Sequence, residues 1–362
     1  MACAPMNREL FDDPDAASMS VLPEQLLFVE PLKPHSYKMS EAEVDVVFSR
    51  PIYKRIIGSK AFQRLKNINF LGSIDYVVNP RPSRRHTRYQ HSLGVARLAL
   101  QYSALKKLPE REEVICVISA LLHDIGHAPL SHSLESVFIE EYGIGHHIVA
   151  EKILKGELPF ARNLHAALIE FGINPFEILT IINGTASEPY SEIFNHEINI
   201  DTIEGILRSC TYIYKNPKFW PPHEVLNALV SRTDAAVKVL DGFWQLKGEA
   251  YQKLINSKTG VLADYICQDY MRTNKLSFFE DYHYSTEREL EKKHPLLFLK
   301  LRSLSSVEPC ELLPDTNQVL FNNRSFHINH EVSLDSVWAI DKRYTQTKSK
   351  EIFQLQPKRG KR

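Results

Sequence analysis

Leu121-Leu122-His123-Asp124-Ile125-Gly126-His127-Ala128-Pro129-Leu130-Ser131-His132 closes one of the most apolar stretches of the chain, Val114-Ile115-Cys116-Val117-Ile118-Ser119-Ala120. Apolar residues there occupy nearly every helical face, which predicts a central buried helix from Glu112 to about His127. Pro129 biases Ala128 away from helical geometry and ends it. Three histidines and a carboxylate at the end of a core helix need partners, because desolvating such groups is costly. A divalent cation suits that mixture of nitrogen and oxygen donors. His123 and His127 stand four apart and so project from one face, with Asp124 about 100° away from His123.

Upstream, a helix is expected from Tyr89 to Leu105 with Leu93, Ala96, Leu100 and Leu105 inward, which puts His91 in its first turn. A short connection joins the two helices, so they pack antiparallel and bring His91 beside His123 and Asp124. Downstream, Asp201 sits at a helix start. Its spacing to Glu204 fits an N-terminal capping pair as well as it fits a metal ligand.

The rest of the chain reads as mainly α. Residues 1–40 carry five prolines and little periodicity and form an N-terminal extension. A core is expected over residues 41–215, a helical region completing it over 216–305, and a small tail region with a basic C-terminus over 306–362. Two short helices are expected around Val44–Leu65, broken at Pro51 and Gly58, then a brief extended piece at Tyr76-Val77-Val78. Further helices are expected from about Ser131, at 147–154, 175–182 and 202–213, and from Pro221-Pro222 to about Leu304. A small β-hairpin is expected around Asn322-Asn323 within Val319–Ile328.

Composition narrows the function classes. Lys plus Arg and Asp plus Glu balance at 44 each, which argues against nucleic acid as the primary partner or an anionic membrane as the target. The basic end, Lys358-Arg359-Gly360-Lys361-Arg362, reads as a solvated tail. Five widely spaced cysteines give neither a disulfide framework nor a thiolate zinc site. No run reaches the ~18 apolar residues a membrane span needs, and Met1–Arg8 lacks the order of a secretory signal. A cytoplasmic protein in a reducing compartment is expected.

With these residues in place, the chain resembles the HD-domain phosphohydrolase superfamily, in its deoxynucleoside triphosphate triphosphohydrolase-like branch. The resemblance covers about residues 45–215: Ala61-Phe62-Gln63-Arg64-Leu65-Lys66, Leu71-Gly72, Thr87-Arg88-Tyr89-Gln90-His91-Ser92-Leu93-Gly94-Val95 and the run from Leu121 to His132. It implies an all-α core holding one divalent ion on His91, His123, Asp124 and Asp201, which turns Asp201 toward ligand. It also implies that Arg88, His127 and His132 contact substrate phosphate and that His146 assists proton transfer. The ion is one of Mn, Fe, Co, Ni, Zn or Mg.

The departures are as specific. His147 stands where the family has a glutamate orienting the catalytic histidine, so an optimum at lower pH is expected, or a share of the acid role for His147. Thr202 replaces a phosphate-contacting lysine, and Gly205, Ser209 and Phe70 replace sugar-reading residues. Lys247 and Lys258 are candidates for substitute phosphate contacts, with a surface position as their ordinary reading. The expected activity is hydrolysis of (deoxy)nucleoside triphosphates to nucleoside and tripolyphosphate. In that mechanism Asp124 or a neighbouring histidine positions water and His146 protonates the leaving oxygen. Alternatives are an HD-family phosphohydrolase acting on a monophosphate, a modified or a signalling nucleotide, and a metal-stabilised regulatory module without catalysis. A homo-oligomer is expected, with Leu26-Leu27-Phe28-Val29 available for an interface.

Overall fold

Every residue from Ile115 to Leu122 is buried, so the Glu110–Leu122 helix lies inside the first of two apolar clusters. Glu110, Glu112 and Glu113 occupy its first turn, where negative charge favours the positive end of the helix dipole. The Arg88–Lys106 helix precedes it and packs along it. Thr87 caps that helix by accepting from the Gln90 N–H, and Lys107 ends it in the left-handed region at φ 52°. The computed structural model describes residues 38–79, 81, 85–214, 219–313, 316–336 and 338–355. Cys3, the Leu26–Val29 segment, most of the 1–40 extension and the Lys358–Arg362 tail lie outside these residues.

The described residues are predominantly helical, with one two-stranded antiparallel sheet. A first apolar cluster gathers the helices from Glu41 to Ile213, except Ile74–Val78 and His132–Tyr142, with the Asp234–Ala250 helix. A second joins Ile74, Tyr76, Leu130 and Leu134 to the Lys258–Thr273 and Pro295–Ser303 helices. The cleft described below opens between residues contributed by both.

Four expectations are corrected. The buried helix stops at Leu122 rather than His127. His123 Nδ1 donates to the Ala120 carbonyl at 2.8 Å, and Ile125 and His127 bond back three residues instead of four, so the chain leaves the helix in tight turns. Tyr76-Val77-Val78 lies in the helix Ile74–Val78, not an extended piece. Burial of Ile74, Tyr76 and Val77 and two hydrogen bonds to the Asp75 carboxylate override the β-branched preference. Three short helices, not two, cover Glu41–Val47, Pro51–Ile57 and Lys60–Arg64. Ser59 restarts the third by accepting from the Phe62 N–H at 3.3 Å.

The hairpin is real but its turn is elsewhere. Strands β1 (Gln318–Ile328) and β2 (Tyr344–Gln354) pair along their whole length, and Asn322 and Asn323 face Lys350 and Ser349 in mid-ladder. The connection between them includes the helix Trp338–Arg343, and Arg343 grips Asp241 with bonds of 2.9 and 2.6 Å. Long extended strands bury both apolar sets at once. Phe326 packs on Trp244 at 5.5 Å between ring centres, while Val319 and Phe353 join the second cluster.

Candidate metal centre and the cleft around it

Three separate segments meet at one point. His91 comes from the start of the Arg88–Lys106 helix, His123 and Asp124 from the end of the buried helix, and Asp201 from the first turn of Ile200–Ile213. His91 Nε2 lies 3.2 Å from His123 Nε2, 2.9 Å from Asp201 Oδ1 and 3.5 Å from Asp124 Oδ2. His123 Nε2 lies 3.5 Å from Asp124 Oδ2 and 3.6 Å from Asp201 Oδ1. Asp124 sits to one side of this group. Its Oδ2 also receives the Arg88 guanidinium at 2.7 Å.

The tautomers follow from the partners. His91 Nδ1 faces Glu204 Oε2 at 2.5 Å, and His123 Nδ1 faces the Ala120 carbonyl at 2.8 Å. A carbonyl cannot donate, and the Arg208 guanidinium helps keep Glu204 ionised against the opposing effect of burial. Each ring therefore donates from Nδ1, leaving Nε2 to face the centre of the group. The two Nε2 atoms stand 3.2 Å apart, with Asp201 Oδ1 2.9 Å from that of His91. Two such nitrogens facing each other need a positive charge between them, a metal ion or added protons. Two neutral imidazoles and two carboxylates are a donor set for a divalent transition metal, so these residues fit the ion. Without one, the site takes up protons instead. Burial opposes this at His123, yet Asp124 and Asp201 hold its pKa at about 9.

Asp201 is free for this duty because another residue caps its helix. Asn199 accepts from the Thr202 N–H at 2.8 Å, so the capping-pair reading of Asp201 and Glu204 is replaced. Glu204 is buried and bound to Arg208 as well as His91. Gly94 makes room for it, since a Cβ there would meet Glu204 Oε1 at 2.3 Å. Gly94→Ala is therefore expected to weaken metal affinity by roughly 10- to 100-fold, the usual cost of losing a carboxylate behind a ligating histidine. Metal titration followed by spectroscopy or calorimetry checks it. Unchanged affinity would mean the Glu204 contact is dispensable.

Beside this group lies a second, of imidazoles. Ring nitrogens of His127, His132 and His146 fall within 4.8 Å of one another, and His127 stacks on His146 at 4.4 Å and 9°. Glu135 orients two of them. Its Oε2 accepts from His132 Nδ1 at 2.8 Å, and its Oε1 accepts from both His146 Nδ1 and the His146 backbone N–H. Burial raises the Glu135 pKa, but the two imidazoles overcome that and hold it far below the usual carboxylate range. His127 is buried, and its Nε2 lies 3.0 Å from Asp124 Oδ1 yet makes no hydrogen bond there. Burial, reinforced by Arg88, keeps His127 neutral.

Glu135 corrects the expectation about His147. The carboxylate orienting His146 comes from the His132–Tyr142 helix, while His147 bonds Asn183 at 3.0 Å and lies against the His146 ring at 4.1 Å. The sequence signal was present, since Glu135 follows His132 at three residues. Gly126 permits the approach of the His146–Leu154 helix, for a Cβ on it would meet the His146 carbonyl at 1.9 Å.

Both groups line one cleft of about 1240 Å³. Arg88 stands in it, as do Phe70, Thr202, Gly205 and Ser209. Lys247 is not a surface lysine. It is buried at the cleft wall, 3.2 Å from the Glu197 carbonyl and 4.2 Å over the Trp244 ring, and burial lowers its pKa to about 8. Lys258 lines a different cavity. Tyr251 and Asn256, from and just beyond the π-helical turn Tyr251–Ile255, and Arg324 of β1 complete that wall.

Part of the chain is similar to known proteins. Residues 88–175 match the HD domain family model. The chain is similar to the uncharacterized protein YwfO of Bacillus subtilis, 25% identical over 218 residues, which are 56% of this chain and 48% of that one. It is 34% identical over 153 residues to the uncharacterized protein MJ1154 of Methanocaldococcus jannaschii, covering 42% and 29%. Over 96 residues it is 43% identical to human deoxynucleoside triphosphate triphosphohydrolase SAMHD1, covering 25% and 15%. The chain thus spans less than half the length of each of these relatives.

Proposed function

Because this chain contains an HD domain at residues 88–175, we propose that it is a metal-dependent phosphohydrolase whose substrates are (deoxy)nucleoside triphosphates, cleaved to nucleoside and tripolyphosphate. The observation that carries the metal is the pair of facing Nε2 atoms of His91 and His123, 3.2 Å apart and bracketed by Asp124 and Asp201. The bound ion would withdraw charge from a phosphate oxygen and so weaken its repulsion of a nucleophile.

The chain's own groups supply the rest. Arg88 uses three of its five N–H groups on Ser131, Asp124 and Phe70, leaving two for a phosphate. His127 and His132 contact phosphate oxygens, with Lys247 on the facing wall as a further cation. Asp124, between Arg88 and His127, positions the attacking water. His146, held by Glu135, donates a proton to the departing oxygen. Phe70, Gly205 and Ser209 offer the sugar little: the Ser209 hydroxyl is already spent on the Gly205 carbonyl at 2.8 Å.

A screen of ribo- and deoxynucleotides against protein loaded in turn with Mn, Fe, Co, Ni, Zn or Mg tests this reading. It should report phosphate, pyrophosphate and tripolyphosphate separately, with metal content per chain. Intact tripolyphosphate and one ion per chain are expected. Release of phosphate alone would assign the chain to another nucleotide. Inactivity of every metal-loaded form would leave a binding module.

A further inference from the structure

Glu287 opens the helix Glu287–Lys293 and is buried, although nothing in the chemistry above calls on it. Its Oε1 accepts from the Asn69 N–H at 2.7 Å and the Leu130 N–H at 3.3 Å. Its Oε2 accepts from Asn69 Nδ2 at 2.5 Å and the Tyr76 hydroxyl at 2.6 Å. All four donors are neutral, so the carboxylate is held by hydrogen bonds and serves as a joint between segments far apart in the chain.

What it joins bears on Arg88. Ser131, next to Leu130, donates its hydroxyl to the Asn69 carbonyl at 2.8 Å and accepts from Arg88 Nε at 3.1 Å. Phe70, next to Asn69, receives Arg88 Nη2 at 3.0 Å. Leu130 and Ser131 both carry positive φ, 61° and 48°, a conformation that side-chained residues keep only where their surroundings enforce it. Gly72 shows how tight those surroundings are, since a Cβ on it would meet the Leu130 carbonyl at 2.2 Å. Two of the proposed metal ligands are held separately, His91 by Glu204 and His123 by Ala120, while Asp124 is bonded to Arg88 itself.

We infer that Glu287 is a positioning residue for phosphate capture, locking the Asn69–Leu130–Ser131 frame that aims the Arg88 guanidinium into the cleft. The inference rests on the role proposed above for Arg88. It separates two quantities that a general loss of fold would move together, since the frame acts on substrate affinity through Arg88 and reaches the metal only through one of its four proposed ligands, Asp124.

Glu287→Gln and Tyr76→Phe test it, the latter removing one donor and keeping the carboxylate. With Glu287→Gln, KM for the best nucleotide should rise roughly five- to tenfold, the worth of a hydrogen bond. kcat should stay near wild type, Mn affinity should fall by less than about twofold, and the Asn69 and Leu130 amides should exchange faster with deuterium. Tyr76→Phe should move KM in the same direction by less. A lowered Tm with unchanged KM would overturn the inference, as would a loss of Mn affinity as large as the rise in KM. If wild-type protein hydrolyses no nucleotide, the proposed function fails. The joint is then judged by calorimetric binding of inorganic tripolyphosphate: weaker binding by Glu287→Gln supports it, and equal or absent binding in both proteins overturns it.

Discussion

Replacing His123 and Asp124 together with Ala is expected to leave the protein without metal and without hydrolytic activity. The double change removes one of the two opposed imidazoles and the carboxylate beside them. The remaining His91 and Asp201 offer a divalent ion only two protein donors. The change also strips Arg88 of its partner at 2.7 Å in a buried setting, and a buried charge left alone costs about 3–5 kcal/mol. Helical circular dichroism and a melting curve must therefore accompany the assay. A folded, metal-free, inactive variant supports a metal-centred reaction. A folded variant that still hydrolyses nucleotide rejects it.

The next largest effect is expected at His146. Substitution by Ala should lower kcat roughly 10²- to 10⁴-fold, the range for loss of a general acid, with Mn affinity unchanged because no proposed ligand is touched. Glu135→Gln should fall in the same direction by less. It keeps the shape but weakens a charge-assisted bond to the His146 ring and another to His132. Turnover within a factor of two of wild type for His146→Ala would remove it from the mechanism. With Glu135 behind His146, an optimum shifted to lower pH through His147 loses its basis, because the orienting carboxylate is present after all.

Much of this was legible in the chain. The unbroken apolar run before His123 reads as a core helix because only a buried helix tolerates side chains of one kind all round. Antiparallel packing of the Arg88–Lys106 and Glu110–Leu122 helices follows from the short link between them, and with it the meeting of His91 with His123. Local reading failed where distant groups decide. Asp201 and Glu204 look like a cap until Asn199 takes that role. Tyr76-Val77-Val78 looks extended until burial makes it helical. Asn322-Asn323 looks like a turn because asparagine pairs favour one, yet aromatic residues flanking them pack onto two different clusters and hold the strand straight.

By itself the sequence determined the helical class, the central helix and the approach of His91 to His123 and Asp124 at its end, because these depend on periodicity and on short connections. Only the tertiary structure decided what stands behind those donors. Glu204 against His91, Glu135 beneath His146, Lys247 folded into the cleft wall and Glu287 under the Leu130–Ser131 turn are long-range or cross-element contacts. No spacing rule encodes them, since a buried polar group takes whichever partner the packed chain brings within reach.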